Sequence, residues 1–154
     1  LSHFVERLGV RVDPKTSAWI FGRLLKLLAF VHSQGISVGQ ITGENILIEK
    51  NKHYVFIFDW SKATSNPGDT VPLNVAREEI AQAAKEAILA LGGNLETGEL
   101  PGDRQMATTD YAEFLFSLAS GTEDNALRAN ENFYRLIRSI WPSEFHPFTV
   151  YDLD

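Results

Sequence analysis

Thirteen residues early in the chain, Trp19-Ile20-Phe21-Gly22-Arg23-Leu24-Leu25-Lys26-Leu27-Leu28-Ala29-Phe30-Val31, are apolar on most helical faces. A helix with one apolar stripe lies on a surface, whereas one that is apolar nearly all round has to be surrounded by other elements. The spacing predicts a helix from Pro14 to about Ser33, opened by a proline and closed by Gly35. His32 falls in its last turn, where the helix dipole favours a cation. The most apolar run, Leu24 to Val31, is broken by Lys26 and is far shorter than the roughly 20 residues of a membrane span. The helix is therefore predicted to be the centre of a globular core. A chain of 154 residues, 44% hydrophobic, can bury one such core, so residues 1–154 are read as a single domain.

Around this helix the pattern predicts a mainly α protein with one small β-hairpin, an α+β class. Ser2, Phe4, Val5 and Leu8 before Gly9 read as a short capped helix. Ile46-Leu47-Ile48 and Tyr54-Val55-Phe56-Ile57-Phe58, joined by Glu49-Lys50-Asn51-Lys52, read as a hairpin. Thr64 to Asn74 and Leu95 to Thr109 carry the glycines, prolines and aspartates of exposed loops. Ala76 to Leu91, Asp110 to about Ser120 and Asn125 to about Ile140 are helical by composition or spacing, the first stopped by Gly92-Gly93. Trp19, Phe21 and Phe30 are expected in the core, and Trp141, Phe145 and Phe148 in the core or on a partner surface.

Charge and composition narrow the function. Fourteen Lys+Arg against 20 Asp+Glu, a formal charge of -6, argue against a dedicated nucleic-acid binder. With no cysteine there is no disulfide, thiolate chemistry or cysteine-ligated zinc, and a reducing, cytoplasmic setting is expected. The N-terminal residues lack a basic region followed by an apolar core, so no signal peptide is expected. His3, His32, His53 and His146 have no metal-ligand spacing and read as solvated or capping residues. Glu123-Asp124-Asn125 reads as a solvated helix start.

One ordered set of residues is more specific: Phe30-Val31-His32-Ser33-Gln34-Gly35-Ile36, then Gln40-Ile41-Thr42-Gly43-Glu44-Asn45-Ile46-Leu47-Ile48, then Phe58-Asp59-Trp60-Ser61. It resembles the stretch of protein kinases in which a helix ending LH-S-x-G-I is followed by the catalytic loop H-R-D-L-K-P-E-N-I-L-L and by D-F-G. The resemblance implies a kinase-like C-terminal lobe. It implies that Asn45 and Asp59 correspond to the magnesium ligands and Leu47 to the floor of the adenine pocket, and that Gln40 stands where the catalytic base would be. Gln40 and Asn45 keep the motif's spacing of five positions.

The departures lie in the reactive positions. Val38 and Gly39 stand for His and Arg, Gln40 for the Asp, and Thr42-Gly43 for Lys-Pro. A carboxamide cannot take a proton at neutral pH, so Gln40 can orient a hydroxyl but cannot act as a base. A helix at Glu79–Gly92 resembles the kinase helix D-x-W-S-L-G-x-x-L-Y-E-L-L-x-G in shape, with Glu79 in place of its Asp. About fifteen residues precede the long helix, and no Gly-rich loop or strand lysine is among them. No A-P-E lies between Asp59 and Glu79, so a platform for protein substrates is not expected.

The resemblance thus implies a C-lobe without an N-lobe and without catalysis. The expected function is a regulatory or protein-interaction module with a protein partner, in the manner of the kinase non-catalytic C-lobe domains, and with no resident cofactor. The alternative is a pseudokinase or phosphotransferase that binds Mg-ATP weakly, its N-lobe lying outside this chain. A third reading, a plain helical domain whose likeness to kinases is accidental, would be favoured by a structure with no hairpin beside the buried helix.

Overall fold

The computed structural model describes residues 1, 3–101 and 109–153. It is an α+β fold in which five helices dominate and the strands form short antiparallel pairs. The elements, in chain order, are α1 (His3–Leu8), β1 (Val10–Val12), α2 (Pro14–Ser33), β2 (Ile36–Ser37), β3 (Ile46–Glu49), β4 (Tyr54–Ile57), β5 (Thr64–Ser65), α3 (Leu73–Ala90), α4 (Thr109–Ala119), α5 (Ala126–Ile140) and β6 (Val150–Asp152).

Helix α2 is the hub, as its sequence predicts. Asp13 is fully buried, and its carboxylate caps the helix by accepting from the Thr16 N–H at 3.0 Å. Ile20, Phe21, Leu24, Leu25 and Leu28 are sealed from solvent between α3 and α5, each burial being worth about 1.5–3 kcal/mol. Gly22 lets α5 approach closely: a Cβ there would lie 2.8 Å from the Phe133 ring. On α3, Ala76, Ala83, Ala84 and Ala87 give a small-residue face that seats Ile80 and Ile88 in the same core. Helix α4 joins through Tyr111, whose hydroxyl is 2.8 Å from Ser17 Oγ inside the core.

The aromatic expectations hold in part. Phe21 is fully buried and Trp19 partly so, but Phe30 is 65% exposed. It lies in line with Arg23 and Lys26 at spacings of seven and four, on an exposed face of α2. Trp141 packs edge-on against Tyr111 and Phe148 against Trp19, whereas Phe145 is exposed.

The predicted hairpin is β3–β4, in register Ile46↔Ile57, Leu47↔Phe56, Ile48↔Val55 and Glu49↔Tyr54. It turns Ile46 and Ile57 into the core and packs beside α2. Two further ladders were not expected. Val10–Val12 pairs with Val150–Asp152, and Ile36–Ser37 pairs with Thr64–Ser65 inside a segment read as loop. Helix α3 begins three residues before its predicted start, with Pro72 at its N-cap. The Ser2 cap and residues 102–108 of the loop expected at Leu95–Thr109 lie outside the described residues.

Candidate functional site

The segment from Val38 to Asn45 links β2 to β3 and is held by side chains from three directions. Gly39 has φ +89°, and an added Cβ would fall far inside contact distance of the Lys62 carbonyl. The backbone therefore admits only glycine at the position where the resembled motif carries arginine.

Asn45 is buried, and its amide is committed to the loop itself. Its Oδ1 accepts from the Thr42 N–H at 3.0 Å, and its Nδ2 donates to the Gln40 carbonyl at 2.8 Å and the Asp59 carbonyl at 3.4 Å. Asn45 and Asp59 are thus brought together, but through the Asp59 main chain. The exposed Asp59 carboxylate accepts from the Ser61 N–H at 3.0 Å, and the Ser61 N–H and hydroxyl hold its pKa below the ordinary value. The charge caps its own turn.

Gln40 presents its Oε1 to Lys62 Nζ at 2.7 Å. A neutral amide bonded by a cation stands where the resembled motif carries its base, and neither group can accept a proton. Leu47 is 55% exposed on the outer face of the hairpin, opposite Phe56, beside an apolar groove of about 530 Å³ that Leu8, Val10 and Phe148 also line. Among the described residues no three His, Asp or Glu side chains converge as a metal group.

The residue that organises the loop is Glu79, known from the sequence only as a letter in a weak match. Buried on α3, it accepts from the Val38 N–H at 3.0 Å through Oε1 and from the Gly39 N–H at 2.8 Å through Oε2. His32 Nε2 lies 2.8 Å from the same Oε1, so that nitrogen carries the proton. One turn on, Gln82 Oε1 accepts from the Ile41 N–H at 2.9 Å. Two polar side chains three positions apart on an alanine-rich helix were the available signal.

The histidines correct their sequence reading. His32 sits in the last turn of α2 but is not solvated: it is a buried partner of Glu79. His53 is stacked between Trp19, at a centroid distance of 4.4 Å, and Phe145, at 4.7 Å. His146 Nε2 lies 2.7 Å from Asp13 Oδ2. Nor is Glu123 freely solvated: Arg128 Nη2 approaches it to 2.6 Å while reaching Asp124 at 3.1 Å.

No protein-family model matches the chain, and no curated protein matches it. Among the described residues no helix is long and apolar enough to cross a membrane.

Proposed function

We propose that this chain is a non-catalytic module resembling a kinase C-lobe, which binds a protein partner through the outer face of the β3–β4 hairpin. The observation that carries the reading is that face itself. Leu47, Tyr54, Phe56 and Phe58 stand on it, each about half exposed, next to the apolar groove beside Leu47. Antiparallel register puts Leu47 opposite Phe56, and alternation adds Tyr54 and Phe58 to the same side. Four large apolar side chains on a two-stranded ribbon make a contiguous patch of the kind that partners cover.

The hairpin beside α2, and the order of α2, loop, hairpin and Asp59, support kinase-like ancestry over an accidental helical domain. The commitments of Gln40, Asn45 and Asp59 support a loop maintained for shape. The alternative, a nucleotide-binding half whose N-lobe lies elsewhere, is favoured by the outward position of Leu47 and the ionised, exposed Asp59.

Two measurements separate them. Apolar peptides selected by display against the chain are expected to lose at least tenfold in affinity to the L47E/F56E variant. Mg-ATP is expected to leave the melting temperature unchanged. Stabilisation by Mg-ATP of roughly 2.7 kcal/mol at 100 times the dissociation constant, abolished by Asp59→Ala, would replace the first reading with the second.

A further inference from the structure

A second surface lies on the uncovered side of α2. Between α2, α5 and the segment after α5 runs a cleft of about 350 Å³ whose α2 wall carries Lys15, Arg23 and Lys26. Among the described residues none of these three cations has a carboxylate partner, whereas Arg77 and Arg128 are both paired. In a chain of formal charge -6, three unpaired cations along one wall are a local reversal of sign. Among the described residues, Glu144 is the only acidic one lining the cleft.

The rest of the lining is aromatic. Trp19 forms the floor between Lys15 and Arg23, with its indole stacked parallel on His53, while Tyr134 and Trp141 close the α5 side. Burial, then Arg23 and His146, hold the pKa of His53 below its ordinary value against an opposing pull from Glu49. His53 therefore presents a ring face rather than a further charge at neutral pH.

Spacing decides the kind of anion. Lys15 and Lys26 are eleven residues apart on one helix, about 16 Å at 1.5 Å per residue. One phosphate or carboxylate cannot span that distance, whereas about five residues of extended peptide, at roughly 3.3 Å each, can. One turn beyond Lys26 the exposed Phe30 continues the line and offers an apolar contact at its end. A nucleic-acid strand, whose phosphates would extend beyond the cleft, is disfavoured by the chain's formal charge of -6.

We infer that the cleft between α2 and α5 binds an extended acidic peptide segment carrying an aromatic or large apolar side chain, its carboxylates meeting Lys15, Arg23 and Lys26. This site is separate from the hairpin face and does not rest on the function proposed for that face.

The test is fluorescence anisotropy with a pool of fluorescein-labelled Asp/Glu hexapeptides bearing one Phe at each position in turn. Binding is expected to weaken at least tenfold in R23E/K26E and to fall with added salt. It is expected to be unchanged in Arg7→Glu, on α1, and in L47E/F56E. Failure of every peptide to bind below about 1 mM would overturn the inference, as would equal binding of the Asn/Gln versions of the same peptides. So would full competition by millimolar inorganic phosphate, or tighter binding of an eight-residue oligothymidylate, which would mark a small-anion or nucleic-acid site. Circular dichroism and melting of R23E/K26E, both at exposed positions, distinguish lost binding from lost folding.

Discussion

Glu79→Ala removes one acceptor from three donors at once. The Val38 N–H and His32 Nε2 are buried, while the Gly39 N–H is closer to solvent and can find water. A buried donor left without a partner costs about 1–3 kcal/mol. Two of them, with the charged acceptor gone, bring the loss to about 3–5 kcal/mol, the range for breaking a buried charged network. In a domain of this size that corresponds to a fall in Tm of about 6–20 °C. The assay is urea unfolding followed by tryptophan fluorescence, comparing midpoints at an unchanged slope. Glu79→Gln keeps the shape and one acceptor but turns an NH2 toward N–H donors, so its loss is expected to fall between wild type and alanine. His32→Ala combined with Glu79→Ala is expected to lose less than the sum of the single changes, because the two share a contact. A loss in Glu79→Ala below about 1 kcal/mol would refute the claim that this carboxylate holds the loop.

Gly39→Ala should destabilise by more than about 2 kcal/mol, since it combines a positive φ with a Cβ driven into the Lys62 carbonyl, and a near-neutral melt would show that the loop is looser than described. Burial raises the Tyr111 pKa well above its ordinary value of 10.0, against a lesser lowering by the Ser17 hydroxyl bond. Because the folded pKa is the higher one, the associated stability is complete below pH 10 and declines above it by up to about 1.4 kcal/mol per pH unit. Urea midpoints from pH 8 to 11 should show that decline, and Tyr111→Phe should flatten it while losing about 0.5–1.5 kcal/mol for the Ser17 bond. Asp13→Ala should cost at least about 1–2 kcal/mol, since it removes the α2 cap and the His146 contact together, and Asp13→Asn, which keeps a capping oxygen, should cost less in thermal melts.

The parts legible in the sequence were those whose signal is local. Helix α2 was visible because apolar residues on every face admit one environment, and its start because Pro14 opens the apolar run, whereas the Asp13 cap emerged only from the structure. The hairpin was visible because two β-branched and aromatic runs flank a polar turn. The order of Gln40, Asn45 and Asp59 was legible as well, but not what their side chains do, since that depends on Thr42, Ser61 and Lys62 arriving in particular geometry.

Tertiary structure alone decided the pairings between distant positions. Val10–Val12 meets Val150–Asp152 across most of the chain, and three-residue strands are too short to announce themselves. The exposure of Phe30 followed from where α3 and α5 pack, because a helix apolar all round does not say which face stays uncovered. His32 read as an end-of-helix residue and Glu79 as the stand-in for the Asp of a resembled helix, until folding put them 2.8 Å apart in the core. Local pattern reports a residue's own backbone preference. The use of a charge depends on which partners folding brings within hydrogen-bond reach, and for Glu79 those partners lie some forty residues upstream.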